Sequence, residues 1–177
     1  LPVAVELGLV LERPGADDRP VYREFFQDRI VVPELRRGRP IWCIARAVED
    51  EVQRASTGQE TGAIAVATPS TPAPPARRPR PKYLGLPGKK PLMGLEHVSG
   101  RRAAYLVEGP FDLLAAIGWH LPAFAICGTH FPSERLPALA EVLAIYGVFD
   151  PARAGQSAAE RFGPVFGSRW RPVRLPN

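Results

Sequence analysis

The sequence predicts an α/β protein: a parallel sheet flanked by helices, preceded by a small basic α+β subdomain. Three observations predict it. From Ala103 onward, short apolar runs alternate with helix-like stretches, the pattern of strand–helix–strand units in a parallel sheet. Earlier, two β-rich runs flank a Gly-containing turn and predict a hairpin. The charge is also uneven: residues 36–102 carry 13 Lys/Arg against 5 Asp/Glu, whereas residues 103–177 carry 6 of each.

At 177 residues the chain has room for one large domain or two small ones. A composition 45% hydrophobic and 23% charged is that of a globular protein and excludes a disordered one. Cys43 and Cys127, in apolar contexts, read as two buried thiols; a zinc knot would need more ligands, and a disulfide an oxidising compartment. No signal peptide and no apolar run near 18 residues is present, which predicts a soluble, cytoplasmic chain with no membrane partner. A start at Leu1 without methionine and an end at Leu175-Pro-Asn177 are expected of a piece cut from a longer protein.

Residues 1–12 read as the end of a helix, stopped at Gly8, and then a short strand. Arg13 to Pro20 is a polar turn. Tyr22 to Arg29 leads into the run Ile30-Val-Val-Pro33. Leu35 to Pro40 is a turn centred on Gly38, and Ile41 to Ala45 the return strand. Arg29 and Arg46 then stand at the ends of adjacent strands and could share one surface. From about residue 55 to 80 the sequence turns to small residues and proline, ending Arg77-Arg78-Pro79-Arg80. Such a stretch cannot bury enough apolar surface to offset its ordering entropy. It is either a solvated linker or a basic arm that touches phosphates.

Lys82-Tyr83 follows, beside Gly turns, with Lys89-Lys90 close behind. A lysine offers a cation to phosphate and a tyrosine a ring for a base to stack on. Leu92 to His97 is a short connector, with His97 at the surface. Then come strand 103–107, a helix over 111–118 with Leu113, Leu114 and Ile117 inward, and strand 123–126. A helix over 134–143 with Leu136, Leu139, Ala140 and Leu143 inward leads to strand 145–149, a helix over 154–162 and a last strand over 172–175. In such sheets the functional positions lie just past the carboxyl ends of the strands. Glu108, Gly128-Thr129 and Asp150 fall there.

Asp112 lies four residues after Glu108, in the first turn of the next helix, where the helix dipole favours a carboxylate. Glu108 and Asp150, from separate strands, could converge on one Mg²⁺ or Mn²⁺, which prefers oxygen ligands and keeps waters for substrate phosphates. The simpler alternative is a helix cap at Asp112 and a turn aspartate at Asp150.

These motifs resemble a known family. Val107-Glu-Gly-Pro-Phe-Asp112, Gly128-Thr129 and Phe149-Asp-Pro-Ala-Arg-Ala-Gly155 are similar to the Toprim module shared by bacterial (DnaG-type) primases, topoisomerases and some nucleases. Phe26-Gln-Asp-Arg-Ile-Val-Val-Pro33, Arg37-Gly-Arg-Pro-Ile41, Ala45-Arg46 and Pro81-Lys-Tyr-Leu84 resemble the stretch that precedes Toprim in bacterial primases. Nearly the whole chain is covered, apart from the inserted linker. The resemblance implies a primase catalytic core in which residues 1–102 guide template and nucleotides. Residues 103–177 would be a Toprim domain, truncated at its C-terminal end, that binds metal and makes RNA primers. It implies Glu108, Asp112 and Asp150 as catalytic acids, with Glu108 and Asp150 on Mg²⁺ or Mn²⁺. Arg29, Arg46, Lys82, Tyr83, Lys89 and Lys90 would contact nucleic acid or nucleotide. Single-stranded DNA template, nucleoside triphosphates and a replicative helicase are the implied partners, and the nucleoid the implied place.

The chain departs from the family where Ala152 stands for the second acid of an Asp-x-Asp pair, and where Gly85 follows Lys-Tyr-Leu in place of a polar residue. No zinc-ligand spacing is present. A degenerate domain that binds nucleic acid or nucleotide without chemistry is therefore the alternative to an enzyme.

Overall fold

Apolar runs of five residues separated by helical segments bury themselves most readily as parallel strands, and the chain's second half does so. The computed structural model describes residues 1–15, 17, 19–48, 81–128, 130–149 and 153–175. The Pro-rich stretch and its arginines, Thr129, Asp150 and Ala152 lie outside them. Two compact units are present: Leu1–Val32 with Cys43–Gly88, and Pro33–Trp42 with Lys89–Asn177.

In the first unit a helix, α1 (Pro2–Glu6), ends at Gly8, whose φ of 72° is the left-handed conformation that glycine adopts without a Cβ clash. Strand β1 (Val10–Pro14) pairs antiparallel with β2 (Pro20–Glu24), Val10 opposite Glu24 and Pro14 opposite Pro20. The sequence gives no sign of β2, because all five of its residues are exposed and no apolar alternation marks them.

A three-stranded sheet follows, in the order β3 (Arg29–Arg36), β4 (Arg39–Ala47), β5 (Tyr83–Gly85). The turn between β3 and β4 is tighter than the expected 35–40. Arg37 and Gly38 form it at φ 52° and 72°, the pair of positive values that lets a two-residue hairpin follow the strand twist. β5 runs antiparallel to β4, with Arg46 opposite Tyr83 and Ile44 opposite Gly85.

The second unit holds a four-stranded parallel sheet ordered β7 (Ala123–Ala125), β6 (Ala103–Val107), β8 (Ala144–Val148), β9 (Trp170–Val173). Helix α2 (Leu95–Val98) precedes β6, α3 (Pro110–Gly118) joins β6 to β7, and α4 (Arg153–Phe166) joins β8 to β9. Val107 lies opposite both Ala125 and Val148. One buried cluster draws Ala104, Leu106, Phe124 and Ile145 from the strands and Ile126, Leu139, Phe162 and Phe166 from the connections. Each fully buried large apolar side chain contributes roughly 1.5–3 kcal/mol relative to exposure.

Four expectations are corrected. Residues 134–143 do not form an α-helix: a 3₁₀ helix runs from Ser133 to Leu139 with Pro137 inside it. Proline lacks the N–H an α-helix needs there and crowds the preceding turn. Leu139 and Val142 are buried, and Leu143 is 57% exposed instead of inward. In α3 the buried positions are Pro110, Leu113 and Ala116, at i, i+3, i+6, so Leu114 faces out. The last strand begins at Trp170, whose ring packs among Phe149, Phe162 and Phe166. Both cysteines are free thiols, as expected, but only half-buried.

Candidate functional site

The carboxyl end of β6 carries two acids of the second unit, Glu108 and Asp112. β6 ends at Val107, so Glu108 is the first residue past the central pair of strands and is exposed there. Its carbonyl accepts the Cys127 N–H at 3.0 Å, which ties the end of β6 to the loop after β7. Gly109 caps α3, and its N–H donates to Asp112 Oδ2 at 3.0 Å. Asp112 therefore caps the helix and, like Glu108, is exposed. Both acids line one cavity of about 190 Å³ with Tyr105, Trp119 and Val148. Asp150 follows Phe149 in the sequence, but its placement lies outside the described residues.

A cation stands at the same edge. Lys90 Nζ donates to the Cys127 carbonyl at 2.8 Å. Gly128 leaves room for it, since a Cβ at that position would collide with Lys90 Nζ. Lys89 points elsewhere and pairs with Glu134 at 2.9 Å, a bridge that holds the Glu134 carboxyl below its ordinary range. That bridge is exposed on both sides and contributes little to stability.

Among the described residues no group of three or more His, Cys, Asp or Glu side chains is placed to hold a metal ion. Two neighbouring carboxylates suit a hard cation of the Mg²⁺ kind. Such an ion is held through one or two carboxylates and completes its shell with water and phosphate oxygens. Glu108 and Asp112, which line the same cavity, fit that mode of binding.

In the first unit, four of the residues singled out from the sequence meet at one sheet end. Arg46 lies opposite Tyr83 across β4 and β5. The Lys82 carbonyl accepts the Ala47 N–H at 3.0 Å and Arg29 Nη1 at 3.4 Å. The Lys82 ammonium lies 5.8 Å from the centre of the Tyr83 ring. A lysine over an aromatic ring, with two arginines on the adjoining strands, is a combination suited to a phosphate chain with a stacked base. Lys89 and Lys90, expected with this group, belong to the other unit.

Glu34 went unnoticed in the sequence. It is the buried charged side chain among the described residues, 3% exposed, and accepts Arg36 Nε at 3.0 Å and the Gly94 N–H at 2.7 Å. The available signal was its alternation with Val32 on the inward side of β3.

No family model matches the chain, and no curated protein sequence matches it significantly. Solved structures do match. The zinc-binding and RNA polymerase domains of the Aquifex aeolicus primase superpose with a TM-score of 0.68 at 25% identity, over 99% of this chain and 40% of that one. A DNA primase domain from Pseudomonas aeruginosa gives 0.68 at 23% identity, over 99% and 51%. The DnaG catalytic core gives 0.60 at 22% identity. The chain thus has the fold of bacterial primase catalytic cores and spans about half the length, or less, of the first structures it matches.

Proposed function

We propose that this chain is a primase-type core that makes RNA primers on single-stranded DNA with Mg²⁺ or Mn²⁺, its second part being a Toprim domain. The observation that carries the reading is Glu108 at the carboxyl end of β6, beside Asp112 and within reach of the Lys90 edge, in a chain with the primase-core fold.

In this reading residues 103–177 do the chemistry. The 3′ oxygen of one nucleotide bonds to the α-phosphorus of a nucleoside triphosphate, and the bond to pyrophosphate breaks. A divalent cation supplies charge neutralisation on those phosphate oxygens. Glu108 would hold that cation, and the sequence offers Asp150 as a second ligand. Asp112 fixes the start of α3 and adds negative charge at the mouth. Lys90 offers its ammonium to the triphosphate. Residues 1–102 guide the strand, with Arg29, Arg46 and Lys82 on phosphates and Tyr83 under a base, and Lys89 is a further cation for nucleic acid or nucleotide. A replicative helicase is the expected partner in the cytoplasm, at the nucleoid.

Ala152, where a second acid is expected, favours a second reading: a domain that binds nucleotide or single-stranded DNA without chemistry. Primer synthesis on a single-stranded template separates the two. The first reading predicts labelled, metal-dependent RNA product from the native chain and a loss of at least a hundredfold in Glu108→Gln. Nucleotide binding with no product from either would establish the second.

A further inference from the structure

We propose that Glu34 is a positioning residue for the Lys90 ammonium. Glu34 lies on the β3–β4 hairpin and touches neither acid at the sheet edge, yet a short chain of bonds leads from it to that edge. Its Oε2 accepts the Gly94 N–H at 2.7 Å. Gly94 has φ 79°, and a Cβ there would sit 2.9 Å from the Ala123 carbonyl oxygen, so only glycine fits this close approach to β7. The preceding residue, Met93, exchanges two backbone hydrogen bonds with Ala125 of β7, at 3.0 and 2.9 Å. Two residues beyond Ala125, the Cys127 carbonyl receives Lys90 Nζ and the Cys127 N–H donates to Glu108.

Residues 87–92 carry no helix or strand of their own. Lys90 is therefore aimed by what fixes the segment on its C-terminal side. Arg36 Nε, 3.0 Å from Glu34 Oε1, pairs with the other carboxylate oxygen and holds the side chain in place. Glu96 adds a second tie, accepting the Arg37 N–H at 2.6 Å. The hairpin tip thereby braces the connector that carries the cation.

The test reads Lys90 itself. Native, Glu34→Ala and Glu34→Gln chains are acylated briefly with acetic anhydride, and Lys90 modification is quantified by mass spectrometry with Lys89 as internal reference. Loss of the acceptor should release Nζ from the Cys127 carbonyl and raise the Lys90 rate at least fivefold. Glu34→Gln, which still accepts from Gly94, should stay within twofold of native. Glu34→Leu keeps the buried volume and serves if the alanine variant does not fold. An unchanged Lys90 rate in a folded variant, whatever happens to its Tm, overturns the proposal.

A second arm rests on the function proposed above. The affinity for Mg²⁺·ATP should fall about tenfold in Lys90→Ala and in Glu34→Ala, and no further in the double variant. Additive losses would mean that Glu34 acts by another route. Failure of the native chain to bind ATP would sink that functional reading and leave the acylation result to decide the positioning role.

Discussion

Cys127 sits where the two halves of the sheet-edge site join, at φ 49°, with its sulfur 3.3 Å from Met93 Sδ. Burial pushes its thiol from 9.0 up to about 12, with Lys90 pulling weakly the other way. The unfolded chain loses this proton from about pH 9, and the folded chain keeps it until about pH 12. The neutral thiol's contribution to stability is therefore whole below pH 9 and is lost as pH rises between those values, by up to about 1.4 kcal/mol per unit. Denaturant midpoints measured from pH 8 to 11 should fall for the native chain and fall less steeply in Cys127→Ala. Equal slopes would contradict the assignment. At this scale the sequence was readable for the neighbourhood of four residues near strand ends: Arg46 lies opposite Tyr83, and Arg29 and Tyr83 both approach Lys82. It was silent on Glu34, since a lone acid in a β-rich run looks the same whether it faces water or a buried N–H. Lys82→Ala should weaken single-stranded DNA binding for every sequence and reduce the salt slope by about one. An unchanged slope in a filter-binding titration would remove Lys82 from the interface.

Among the elements, the β3–β4 hairpin and the β6–α3 unit were legible because local chemistry decides them. Gly38 at φ 72° has nothing within 4 Å of an added Cβ, so Gly38→Ala tests conformation alone. It should cost about 1 kcal/mol in equilibrium unfolding and leave DNA binding unchanged. Gly147 is the opposite case. A side chain there would drive into the Trp170 indole, which also stacks on Phe166, so Gly147→Ala should cost about 1–3 kcal/mol by overpacking. A loss no larger than that of Gly38→Ala would mean that Trp170 moves aside freely. Neither crowding nor the 3₁₀ run at Ser133–Leu139 is visible in hydrophobic spacing. Leucines three and four apart in residues 134–143 mimic an α-helix, and the one proline among them outweighs the pattern.

For the whole molecule, the parallel sheet followed from alternating apolar runs. The partition of the chain did not. The tip of the β3–β4 hairpin, residues Pro33–Trp42, groups with the sheet-bearing unit, a long-range pairing that depends on buried bonds such as Glu34 to Gly94. Among the described residues no helix is long and apolar enough to cross a membrane. The proposed function assigns strand binding to a basic surface of one unit and cation binding to a sheet edge of the other. Mn²⁺ uptake, followed by the electron paramagnetic resonance of the free ion in the presence of a non-hydrolysable nucleoside triphosphate, tests it most directly. The native chain should bind the ion, Glu108→Gln should bind it at least tenfold more weakly, and Glu134→Gln, remote in role and paired to Lys89, should match native. Equal Mn²⁺ affinity in the native chain and Glu108→Gln would contradict a metal site at the end of β6.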